Sequence, residues 1–189
     1  MTLKTTGMRS VIIAAGLALT ASAGLAQNTM VGGAEMFPDR TIVENAVNSA
    51  DHTTLVAAVQ AAGLVDTLSG DGPFTVFAPT NAAFDALPAG AVDNLLKPEN
   101  KDQLAKVLTC HVAAVDAMSP AIGKMIMDDG GAHPVQTVGG CVLTASIRAS
   151  DNALQLTDEN GTTATVTIPD VDQSNGVIHV IDAVLMPKM

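Results

Sequence analysis

The chain has 189 residues, 19 of them acidic and only 9 basic, for a net charge of −10. So acidic a surface disfavours the phosphate backbone everywhere, and with no Trp and no Tyr there is no broad aromatic platform for stacking, so nucleic acid is excluded as a partner. The apolar fraction of 48% suffices to fill the interior of one domain of ordinary size.

Lys4 and Arg9 precede the apolar run 11–20, and small residues follow through Ala21-Ser22-Ala23-Gly24-Leu25-Ala26. This is the pattern of a secretory signal peptide over residues 1–26, cut after Ala26 or after Ala23. Its apolar core of about ten residues is too short to span a bilayer. No Cys follows either cut to take a lipid, and Leu185-Met186-Pro187-Lys188-Met189 is no membrane tail. The expectation is a soluble periplasmic or extracellular product without a transmembrane segment, more acidic still once Lys4 and Arg9 are removed.

Residues 27–39 are small and Gly-rich without period, which predicts a flexible N-terminal leader. From Ile42 the spacing turns helical, with Ile42, Val43, Ala46 and Val47 on one face, then Leu55, Val56, Val59 and Gln60 up to a stop at Gly63. A helical turn over 64–68 leads to the turn signal Gly70-Asp71-Gly72-Pro73. There the β-branched and aromatic run Phe74-Thr75-Val76-Phe77-Ala78 predicts a buried strand. Pro79 cannot donate to a ladder and closes it, and Thr80 or Asn81 can cap the helix that begins at Ala82. Short helices are expected at 91–96 and 104–109, a short strand at 110–113, and a helix from Ser119-Pro120 through Met127. Strands over 135–138, 141–147, 153–157 and 162–168 alternate, and Gly139-Gly140, Asp151-Asn152 and Asn160-Gly161 between them have the chemistry of antiparallel hairpins. A helical first half followed by hairpins predicts an α+β domain.

The last turn, Asn175-Gly176, opens Val177-Ile178-His179-Val180-Ile181-Asp182-Ala183-Val184-Leu185-Met186-Pro187. This stretch and Phe74 to Phe84 resemble the two signature motifs of the fasciclin domain, an extracellular adhesion and binding module. Both motifs occur in full and in order about a hundred residues apart, and the resemblance covers about 40–187. It implies one fasciclin-like domain over 40–189, a β-sandwich or wedge of short, mainly antiparallel strands with several helices along one side. It also implies a non-catalytic role in binding a cell-surface or extracellular-matrix protein. The alternative it implies is a carrier of a small apolar ligand such as a pigment or lipid.

No Gly-x-Ser-x-Gly supplies a serine nucleophile, so no catalytic residue is assigned. The four His and two Cys show no paired ligand spacing for zinc. Met118, Met125 and Met127 offer thioethers of the kind Cu(I) takes, but a helical Met is ordinarily core or adaptable surface. No metal or cofactor is assigned. Fasciclin domains commonly carry Tyr-His where this chain has Cys110-His111, a pair implicated in integrin contact in animal members; Cys stands in place of Tyr. His111 with Met118, Ile122, Met125 and Met127 therefore mark the expected partner surface, because surplus Met beside one apolar helical stripe suits adaptable contact. Alternation places Asp182 on the face of Ile178 and Val180, so a buried carboxylate is expected, tied to Thr80, Asn81 or the Pro79 corner, with His179 satisfied structurally. Cys110 and Cys141, an even pair in an exported chain, predict a disulfide; the alternative is two buried thiols.

Overall fold

The structure, a computed structural model, describes residues 28–188; the expected signal peptide lies outside them. The expected flexible leader 27–39 instead carries a small hairpin of β1 (Met30–Val31) and β2 (Ala34–Glu35). Its order has a simple cause: Val31 and Met36 are buried in the main core, and Ala50 donates to the Gly32 carbonyl at 3.1 Å.

The helices follow local signals closely. Thr41 and Glu44 form a reciprocal capping box on α1 (Ile42–Ala46), and α2 (Thr53–Ala62) stops at Gly63, whose φ of 72° is costly for any residue with a Cβ. The turn α3 (Val65–Leu68) leads to β3 (Phe74–Pro79), and Thr80 caps α4 (Asn81–Asp85) by accepting from the Ala83 N–H. Then come α5 (Ala91–Leu95), α6 (Lys101–Thr109), β4 (Val112–Ala113) and α7 (Ser119–Asp128). The hairpins are β5 (Ala132–Gln136), β6 (Val142–Ile147), β7 (Leu154–Thr157), β8 (Thr163–Gln173) and β9 (Gly176–Ile181).

The fold mixes helices and strands, as expected of an α+β domain, around one curling sheet. Seven strands run in the order β4-β3-β9-β8-β7-β6-β5, antiparallel except for the parallel pair β3 and β9. The bend is in β8, whose register slips between Val166 and Val171 and whose Asp170 has a φ of 56°. Alternation along the central strands then feeds two cores. Val76, Ala78, Ile178 and Val180 face the helices α1 to α6, while Phe77 and Ile181 face Leu143, Leu156 and the buried stripe Ile122 and Ile126 of α7.

The curl brings the edge strands β4 and β5 towards each other, giving a nearly barrel-like core. A Cys110–Cys141 disulfide, with Cα atoms 5.4 Å apart, ties the start of β4 to the start of β6. Beside it Val138 donates to the Val112 carbonyl at 2.7 Å and Gly139 to the Thr109 carbonyl at 3.0 Å.

Candidate functional site

The two motifs meet as the parallel pair β3 and β9, in register from Phe74 with Gly176 to Pro79 with Ile181. The strands start so close that a Cβ on Gly176 would sit 1.9 Å from the Phe74 carbonyl oxygen, which only glycine tolerates. Asn175 fastens this end: its Nδ2 donates to the Leu68 and Gly70 carbonyls, and its Oδ1 accepts from the Ile42 N–H at 3.0 Å, holding α1. At the other end Thr80 N–H donates to the Ile181 carbonyl at 3.2 Å.

Asp182 corrects the expectation of a buried carboxylate. The strand ends at Ile181, so alternation no longer governs the next residue, and Asp182 is exposed, accepting from the Thr165 N–H at 2.6 Å rather than from Thr80 or Asn81. Asn81 instead reaches back to the start of α2, where His52 makes no side-chain cap bond. The Asn81 Oδ1 accepts from the Thr54 N–H at 3.0 Å and its Nδ2 donates to the Ala50 carbonyl at 2.8 Å. Asn81→Ala is therefore expected to cost about 1 to 2 kcal/mol, and Asp182→Ala, at an exposed site, less than about 1 kcal/mol. Urea unfolding of the two variants side by side checks this order, and a larger loss for Asp182→Ala would overturn it.

His179 is fully buried. Its Nε2–H donates to the Ala117 carbonyl at 2.8 Å, its Nδ1 accepts from the Asp170 N–H at 3.2 Å, and its ring stacks on Phe77 at 5.7 Å between centroids. Burial lowers its pKa against the opposing pull of the Ala117 carbonyl and of Asp170. Ser119 lies close by, but its hydroxyl donates to Asp170, so serine, carboxylate and imidazole are brought together in an order that activates no nucleophile. Ser49 and His52 pair at 2.8 Å, yet both are buried, so this pair too offers no accessible nucleophile.

His111 is 2% exposed, so it cannot itself touch a partner. Its Nδ1–H donates to the Val107 carbonyl and its Nε2 accepts from the Leu185 N–H, each at 2.9 Å, linking α6 to the end of the second motif. Burial is the main force on its pKa and takes it down to about 4, so the ring is neutral at pH 7.

Of the other residues expected at a partner surface, Ile122 is 1% exposed in the second core, Met118 and Met125 are half-buried, and Met127 is 73% exposed. The helix is thus packed on one face and bare on another. Beside it Val115 is half exposed, and a cavity of about 170 Å³ lies in the seam between the β4 and β5 edges, floored by Phe77, Ile122 and Met125. Ser119 opens the helix as expected, but the group that satisfies its N–H is the Asp170 carboxylate, brought from β8.

A second feature escapes sequence reading. An apolar cleft of about 190 Å³ opens between α1 and α2, walled by Val43, Val47, Leu55 and Val59, with Phe77 and His111 at its base. Its residues come from six elements, so no single stretch signals it, although Val47, half exposed just after α1, is a local hint.

Residues 50–187 match the fasciclin domain. The chain belongs to the fasciclin-domain family. A Synechocystis relative, protein sll1483, is 49% identical over 149 residues, covering 79% of this chain and 74% of that one. The cell surface glycolipoprotein MPB83 of Mycobacterium bovis is 42% identical over 124 residues, 66% of this chain and 48% of its own. Among solved structures, a fasciclin domain pair of the insect cell adhesion molecule Fasciclin I superposes with a TM-score of 0.55 at 24% identity, covering 68% of this chain and 42% of that one, and supports the fold. Among the described residues no helix is long and apolar enough to cross a membrane.

Proposed function

We propose that this fasciclin domain is an exported, non-catalytic binding module that holds a protein or matrix partner at the cell surface through the bare face of α7. The observation that carries the reading is Met127, 73% exposed on a helix whose Ile122 and Ile126 are buried. An unbranched thioether in water costs exposed apolar area and adapts to many surfaces, so a Met held out in this way suits contact with a partner. Met118 lies half-buried at the start of the helix, Ile122 and Met125 anchor it on the second core, and His111 is buried and does not touch the partner. The membership of a family that includes a cell surface glycolipoprotein supports the same placement.

A variant with Met118→Ser and Met127→Ser is expected to keep its fold and thermal midpoint while retaining roughly a tenth or less of the partner captured by crosslinking in the native compartment, as loss of about 1.4 kcal/mol implies. Undiminished capture would end this assignment.

The cleft between α1 and α2 favours a second reading, the carrier of a small apolar ligand. At about 190 Å³ it exceeds the dry cavity of about 150 Å³ known to hold a benzene ring, and its walls are almost entirely apolar. A visible absorption band or a co-purifying lipid in the native protein would establish it.

A further inference from the structure

We propose that the seam beside α7 is a site for a soft monovalent metal ion, Cu(I), with His133 Nε2 and Met125 Sδ as its ligands. Three features lead there. His133 Nδ1 lies 2.6 Å from the Asp129 carboxylate, which takes the Nδ1 proton as its hydrogen bond and so leaves Nε2 as the lone-pair nitrogen. A carboxylate behind an imidazole is the arrangement that orients a metal-binding histidine and fixes its tautomer. His133 is not sealed from solvent, its side chain being 25% exposed. Finally, Met125 and His133 line the same cavity of about 170 Å³, whose other walls include Phe77, Ile122 and Val135.

The donor set selects the ion. One thioether and one imidazole suit Cu(I), which accepts two or three soft or borderline donors, whereas Zn²⁺ wants four harder ones. Among the described residues no three His, Cys, Asp or Glu side chains are grouped to hold a metal, so nothing here competes for a hard divalent ion. The spacing also has a reason in the fold. Met125 and Asp129 are four residues apart at the end of α7, one turn above the other, and the Gly130-Gly131 turn, with φ values of 79° and 115°, folds the chain back so that β5 returns His133 to that face.

Titration of the full chain with Cu(I) against a chromophoric Cu(I) chelator, and with Ag(I) as a redox-inert substitute, tests the site. The wild type should take up one equivalent, with the His133 Nε2 resonance shifting in ¹⁵N spectra, and Zn²⁺ should not produce that shift. His133→Ala and the volume-conserving Met125→Leu should each weaken binding at least tenfold, and Asp129→Asn about tenfold through lost orientation of the ring. Met127→Leu should bind as the wild type does. Unchanged affinity in Met125→Leu at an unchanged melting midpoint, an equal loss in Met127→Leu, or the absence of a one-equivalent complex would each overturn the proposal.

Discussion

Replacing Cys110 and Cys141 together by Ala is expected to lower the stability of the domain by about 3.5 kcal/mol. The bridge closes a loop spanning 31 residues, and on the chain-entropy estimate a loop of that size removes about this much freedom from the unfolded chain. The loop contains β4, all of α7 and β5, so the bridge holds both sides of the seam beside the backbone bonds to Val112 and Thr109. For a domain of this size a loss of 3.5 kcal/mol lowers the melting midpoint by about 10 °C. Calorimetry of the double variant, and of wild type unfolded and refolded in reductant, measures it. Equal midpoints with and without the bridge would show that the seam is held by packing alone.

Acid is expected to destabilise the domain between pH 6.5 and 4. His111 has a folded pKa of about 4 because burial disfavours its charged form, while in the unfolded chain it titrates near the ordinary 6.5. As pH falls through this window the unfolded state takes up the proton first. The stability present above 6.5 is therefore lost progressively on acidification and levels off below about 4, at a cost of about 3 kcal/mol. His52 and His179 are lowered as well, also chiefly by burial, and act in the same direction. Urea unfolding at pH 7, 5.5 and 4.5 reads the slope directly. A His111→Gln variant should start less stable at pH 7 and lose less on acidification; a slope identical to the wild type would assign the acid sensitivity to other groups. Protonation of His111 would remove its acceptance of the Leu185 N–H, so the second motif should be the first region to lose hydrogen-exchange protection.

Much of the helical half was legible because its signals are local. The cap at Thr80, the stop at Gly63 and the apolar spacing from Ile42 each act within a turn or two of chain, and the structure follows them. The strand at Phe74 and its second-motif partner were legible for a related reason: continuous β-branched runs bounded by turn residues are buried on both faces wherever they fall in a sheet. Readings went astray where that locality ended. Asp182 was placed by alternation, but alternation stops with the strand, one residue earlier. The stretch 27–39 is small, Gly-rich and without period, yet Val31 and Met36 found places in a core formed by distant residues.

What the sequence by itself determined is most of the elements from Ile42 onward and the family. Caps, turn residues and period act over a few residues, and the two fasciclin motifs are each contiguous. Only the tertiary structure decided which side chains face one another. It set Asn81 on the start of α2, Asp170 on the start of α7 and Asp129 behind His133, and opened a cleft between α1 and α2. The physical reason is the bend in β8. A register slip there curls the sheet and fixes the distance between strands far apart in sequence, and no local propensity carries that distance.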